Sequence, residues 1–236
     1  MNHALLKSAL ILSLSTLSAC QLATGSGNVV SENREVSSFR KVDVADGITL
    51  HATTGSRALK LTADDNLMPL IQTFVTGDTL HIQLKPTTVA PVLSTLTADV
   101  SNDLFEGLDA SGGCLVDVAA TSTDDFPITA SGGSDVTITG LATNTVTMDA
   151  SGGSTITLSG TAVSGTASSS GGSGLKLRGL PMQRLAVDAS GGATVVARVS
   201  SSLTGSASGG STVSIIGTPS SRLDVSGGSQ LNLNVE

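Results

Sequence analysis

Aromatic residues are nearly missing from this 236-residue sequence, which has no Trp, no Tyr and four Phe. Globular cores draw much of their buried area from aromatics. Burial here must come from many small and branched side chains, which points to a thin, elongated core with narrow layers. Charge is also scarce, at 13% of residues, and Lys and Arg number 12 against 19 Asp and Glu. An acidic chain without stacking residues argues against nucleic-acid binding, which needs basic grooves and aromatic platforms. Two cysteines allow no multi-disulfide framework and no multi-Cys metal site. No Gly-x-Ser-x-Gly elbow or Walker loop occurs. Disorder, which 27 Gly and abundant Ser would suggest, is excluded by apolar residues that make up 39% of the chain and recur with period two.

The first twenty residues read as an export signal. Lys7 supplies a positive n-region, and Ser8 to Leu17 is apolar but too short to span a bilayer. Leu17-Ser18-Ala19-Cys20 resembles the lipobox of bacterial lipoproteins. That resemblance implies removal of residues 1–19, lipidation of Cys20 and membrane attachment through the acyl chains. Gln21, rather than Asp, after the cysteine implies the outer membrane of a Gram-negative cell. An ordinary secretory signal cleaved near Ala19 is the competing reading. Residues 20–28 then form the lipidated cysteine and a short tether. Cys114 is left without an intramolecular partner and is read as a small core or corner residue.

Ser-Gly-Gly occurs seven times, with its glycine pairs at Gly112 and Gly113, Gly132 and Gly133, Gly152 and Gly153, Gly171 and Gly172, Gly191 and Gly192, Gly209 and Gly210, and Gly227 and Gly228. A period near twenty residues is the mark of a solenoid. Apolar columns flank each corner at strand spacing, for example Leu108, Ile128 and Met148 before it and Val116, Val136 and Ile156 after it. Each repeat is expected to hold two short strands around the glycine corner, often with a second turn at Gly140, Gly160, Gly179 or Gly217. Stacked repeats make an all-β, parallel β-helix, expected to be right-handed, over residues 105–236.

Another column runs Asp109, Thr129, Asp149, Ser168, Asp188, Ser206, Asp224. Carboxylates in adjacent coils would repel, so alternation with hydroxyls supports true stacking. A calcium ladder is the functional alternative, although single carboxylates so spaced supply few of the six to eight oxygens calcium takes.

Residues 29–104 lack the corner but keep strand alternation, as in Phe39 to Val44 and Leu80 to Leu84, with turns at Asp46-Gly47 and Gly77-Asp78. The stretch from Asp64 to Phe74 is expected to hold a short helix with acidic caps and Pro69 in its first turn. This region is expected to form the N-terminal cap and first coils. Phe39 to Leu50, Asp64 to Phe74, Gly77 to Ile82, the Ser-Gly-Gly repeats and Ile216-Gly217-Thr218-Pro219 together resemble the head GIN domain family, described as auto-transporter adhesins. The resemblance covers roughly residues 30–236 and implies an adhesive surface, with no catalytic residue to carry over. The chain departs from the family pattern in using Ser-Gly-Gly and in lacking the aromatic before the Gly-x-Pro turn. An auto-transporter is expected to need a C-terminal membrane barrel, and none is read in residues 1–236.

Few residues suggest chemistry. His51 and His81 read as outward and solvated, and could share a metal only if their strands were adjacent. Asp124-Asp125, beside Phe126-Pro127, is the one paired-carboxylate candidate in the repeats and reads as a solvated inter-coil loop. Thr137-Ile138-Thr139 and Thr155-Ile156-Thr157 suggest an ice-binding ladder, but Lys176 and Arg178 break it. The reading is an envelope lipoprotein without catalytic residue, metal or cofactor, presenting a β-helical surface to a protein or glycan ligand. A carbohydrate-active enzyme and a structural, self-associating protein are the alternatives. The strand Leu231 to Val235 is expected to let copies associate through its edge.

Overall fold

A computed structural model describes residues 24–86, 95–119 and 121–234. Cys20 and the segment read as an export signal lie outside the described residues. Seventeen strands hold most of the described residues. The N-terminal part holds β1 (Val29–Asn33), β2 (Lys41–Val44), β3 (Thr49–Thr54), β4 (Ala58–Asp64), β5 (Ile71–Thr76), β6 (Thr79–Leu84) and β7 (Leu96–Asn102). The repeats supply β8 (Gly107–Ala110), β9 (Leu115–Ala119), β10 (Ser122–Ala130), β11 (Asp135–Ala150), β12 (Thr155–Ser169) and β13 (Gly174–Ala189). They end with β14 (Thr194–Ala207), β15 (Thr212–Ile216), β16 (Ser220–Val225) and β17 (Gln230–Leu233).

The repeats stack in parallel and in the register of the Ser-Gly-Gly corners. Ile128 pairs with Leu108 and Met148, and Val136 pairs with Val116 and Ile156. The same pairing continues to Ala207 opposite Val225 and Ile215 opposite Leu233. Seven corners give six full turns of a parallel β-solenoid. Both glycines of each corner adopt left-handed backbone, as at Gly132 (φ 64°) and Gly133 (φ 80°), a region that L side chains disfavour. Between corners the backbone mostly does not break. β11, β12, β13 and β14 each run from one corner to the next, and the expected second turns at Gly140, Gly160 and Gly179 are bends within them, whereas Gly217 follows the end of β15. Register slips such as that between Ile138 and Leu141 absorb the bend.

Inward side chains fill the narrow core, and three of the four phenylalanines, Phe39, Phe105 and Phe126, are buried in it. Below the hydrophobic columns, Ser134, Ser154, Ser173 and Ser211 form a buried hydroxyl column three residues after each corner serine. Ser134 Oγ donates to Ser131 O (2.8 Å) and accepts the Cys114 amide (3.2 Å), while Ser154 Oγ repeats this toward Ser151 O and the Ser134 amide. The column therefore satisfies buried polar backbone. Cys114 sits at its start, fully buried, with Sγ 3.1 Å from Ser111 O, and burial pushes its thiol pKa up.

The N-terminal part extends the same stack out of sequence order. β2 pairs with β8 on one side and β6 on the other, and β3 pairs with β9 and β7. The layer that the chain makes first is thus sandwiched between a layer made second (β6, β7) and one made third (β8, β9). Val44 pairs with Ala110 and Thr49 with Leu115, so Asp46-Gly47 is an eighth corner aligned with Gly112-Gly113. Asp46 also has left-handed backbone (φ 65°), and its carboxylate accepts the Leu84 amide at 2.9 Å.

The stack ends in antiparallel strands. β5 pairs with β6 on one face; β4 pairs with β7, and β1 with β4, on the other. The helix expected over residues 64–74 is a single 3-10 turn at Met68–Leu70. The following Ile71, Thr73, Val75 and Thr76 are β-branched, and the Gly77-Asp78 turn folds them onto β6, which favours a strand.

Candidate functional site

Every difference in coil length falls on one side of the solenoid. From the sixth residue before a corner serine to the seventh after it, the register is constant from coil to coil. The remaining segments are 119–124, 139–144, 159–163, 178–183, 198–201 and 216–219. They hold six, six, five, six, four and four residues. Where a short segment follows a longer one the wall steps inward, and two adjoining hollows result.

The first hollow, about 740 Å³, is lined by residues that include Glu106, Thr123, Asp124, Asn144, Thr161 and Ala162. The second, about 560 Å³, shares Thr161 and Ala162 and continues past Pro181, Met182, Arg198 and Ile216. Together they make an axial groove. It is acidic and hydroxyl-rich where Glu106 and Asp124 stand. Around Met182, Val199 and Ile216 it is more apolar, with the Arg198 guanidinium as the charged group there. The polar end is pre-ordered between coils: Asn144 Nδ2 donates to Asp124 Oδ1 at 2.9 Å, and Thr145 Oγ1 to Asp125 Oδ1 at 2.7 Å. Asp124 and Asp125 lie within β10, not in the loop that the sequence suggested, because Thr123 and Asp125 pair with Thr143 and Thr145 of the next coil. Such a groove offers hydrogen-bonding groups and a small apolar floor along a line, which suits an extended chain.

The other candidates are dispersed. His51 lies on β3 between Asp99 and Asp117, with Nδ1 3.8 Å from Asp117 Oδ2. His81 lies on β6, a strand that pairs with β2 and β5 and not with β3. His81 is not freely solvated as expected: Nδ1 lies 2.8 Å from Asp43 Oδ2, and its ring stacks on Phe74 at a centroid distance of 4.8 Å. The Asp and hydroxyl column is in register as read, and Ser206 Oγ donates to Asp188 Oδ1 at 2.8 Å. It extends past Asp109 to Asp43 and His81. Among the described residues no group of three His, Cys, Asp or Glu converges as a metal site. Thr137 and Thr157 do stack, and Lys176 follows them in that column. The groove was missed by sequence reasoning. Its signal was there in the uneven spacing of the corners.

The sequence matches the family described as "Putative auto-transporter adhesin, head GIN domain" over residues 38–219. No curated protein sequence matches the chain significantly. The fold is similar to the crystal structure of a "putative adhesin" of Bacteroides fragilis, with a TM-score of 0.82 and 18% identity over 89% of this chain and 99% of that one. A "putative adhesin" of Parabacteroides merdae aligns with a TM-score of 0.71 and 15% identity, covering 91% of this chain and 99% of that one. A "putative lipid binding protein" of Parabacteroides distasonis aligns with a TM-score of 0.75 and 13% identity, covering 91% and 99%. At these identities the likeness is one of fold.

Proposed function

The chain belongs to the head GIN domain family, and from that premise we propose that it is an exported, lipid-anchored envelope protein that binds an extended ligand along its axial groove without transforming it. The observation that carries the reading is the continuity of the two hollows through Thr161 and Ala162. The lipobox-like Leu17-Ser18-Ala19-Cys20 supports the anchor, and Gln21 the outer membrane. The family description and the adhesin-like neighbours support binding as the activity. The acidic and apolar ends of the groove favour a ligand that offers hydrogen-bond donors at one end and apolar groups at the other.

The test is retention of immobilised glycan oligomers and extended peptides by the acyl-free domain beginning at Thr24. Ala162 is half-buried and lines both hollows, and Ala162→Trp fills the waist of the groove. It should weaken any retained ligand by at least about tenfold while leaving the strand signal intact. An unbroken blank across both panels, or binding indifferent to Ala162→Trp, refutes the groove as the site.

Copies are also proposed to pair end to end through the last coil. Among the described residues β16 pairs only with β14, and β17 only with β15, while Val225 and Leu233 are exposed. A strictly monomeric mass by light scattering at high concentration removes that idea.

A further inference from the structure

The end of the stack built from β1, β4 and β5 differs from the rest of the surface. It carries Val29, Val30 and Phe74, three of the six large apolar side chains exposed among the described residues. Arg34, directly after β1, ties the two faces of this end together: Nη1 donates to Ile71 O at 2.7 Å and lies 3.2 Å from Thr73 Oγ1.

The chain coming from Cys20 is clasped to the same end. Ser26 N donates to Asn66 Oδ1 at 3.0 Å, Gly27 N to Asp64 Oδ1 at 2.8 Å, and Asn66 Nδ2 to Thr24 O at 2.8 Å. Ser26 Oγ and Asn28 Nδ2 both donate to the Asp65 carboxylate, and these two bonds hold its pKa below the usual range. The clasp is therefore made at neutral pH, and Asp64 and Asp65 are already engaged within the protein. Glu32 is likewise paired with Arg34, at 2.8 Å.

From these observations we propose that the β1–β4–β5 end rests against the lipid surface that holds the Cys20 anchor, so that the axial groove runs away from the membrane. This rests on the lipidation of Cys20 proposed above. Four peptide units separate the Cα of Cys20 from that of Thr24, and a chain of that length reaches about 14 Å at most. The clasped end cannot stand further than this from the headgroups. Nine parallel strands run from β6 to β16 along the face before the corners, which places the last coil about 38 Å beyond the first parallel layer. A bilayer interface accepts exposed Val and Phe together with neutral hydrogen-bonding groups. The short tether brings it to this end and keeps it from the other.

The experiment uses the full, acylated chain in phosphatidylethanolamine–phosphatidylglycerol vesicles with a quencher on the headgroup. Fluorophores are placed singly at Ser31→Cys on β1 and Asn232→Cys on β17; native Cys114 is buried. The Ser31 label should be quenched several-fold more than the Asn232 label. A flexible Gly-Ser spacer of about twenty residues between Ala23 and Thr24 should remove the difference. Equal quenching in an acylated, vesicle-bound chain with its native tether overturns the orientation and leaves the anchor standing. A chain whose mass shows no acyl addition and which stays off the vesicles overturns both. Ser31 labels that quench one another as protein density rises assign this end to a second copy and overturn the proposal.

Discussion

A Cβ placed on Gly132 would lie 2.9 Å from the Gly112 amide nitrogen in the neighbouring coil, whereas one on Gly133 meets nothing within 4 Å. Both residues have left-handed φ, so each pays the same local penalty for a side chain, about 1–2 kcal/mol. Only the first adds a collision with backbone. Gly132→Ala should therefore lower the denaturation midpoint clearly more than Gly133→Ala, and Gly133→Asn should be milder still. The eighth corner shows how a side chain is accommodated: the Asp46 side chain lies past the end of the glycine column, where its carboxylate takes up the Leu84 amide. The serine column gives a second prediction. Ala193 is fully buried at the position where its neighbours carry Ser173 and Ser211. Ala193→Ser restores a donor to Ser190 O and an acceptor for the Ser173 amide. Equilibrium unfolding should show a gain of about 1 kcal/mol.

At the scale of strands, the alternation of carboxylate and hydroxyl keeps like charges two layers apart. Thr129 stands between Asp109 and Asp149. Thr129→Asp would join Asp43, Asp109 and Asp149 into a run of four carboxylates in successive layers and should cost about 0.5–1 kcal/mol at neutral pH. Added salt should shrink that cost by screening, which urea unfolding at low and high salt would reveal. Asp43 and Asp109 already sit side by side. There the 2.8 Å contact of His81 with Asp43 lies on the far side of the pair. Much of this scale was legible in the sequence: the corner columns, the apolar columns and the Asp column are all in the register read from the Ser-Gly-Gly spacing. Two features were not. Residues 64–74 looked helical because their caps and Pro69 suit a helix start, but the β-branched Ile71–Thr76 run gains a partner in β6, and pairing of that kind is invisible locally. His81 looked solvated because Asp43 is 38 residues away and reaches it only through the β2–β6 pairing.

For the whole molecule, the repeats carry their own register, while the N-terminal layers follow a detour that no repeat marks. The chain builds the β2–β3 layer, passes outward to β6 and β7, and returns to stack β8 and β9 on the opposite side. The sequence pointed to an N-terminal cap and first coils but carried no sign of their stacking order. The structure has one continuous stack whose outermost parallel layer is made second. The groove belongs to this scale too, since it arises from unequal segments of successive coils and not from any single motif. Only its lining residues, among them Asp124, were legible one by one.

The stacking itself can be read from distances. His51, Asp117, Thr137, Thr157, Lys176, Val196, Ser214 and Asn232 form one outward column on the face after the corners. Spin labels at Asp117 and Asn232 are six layers apart, and labels at His51 and Asn232 are seven apart. Pulsed electron spin resonance should give separations near 29 Å and 34 Å, at about 4.8 Å per layer. Separations that ignore the layer count, or that shorten as layers are added, would contradict the parallel, in-register stack.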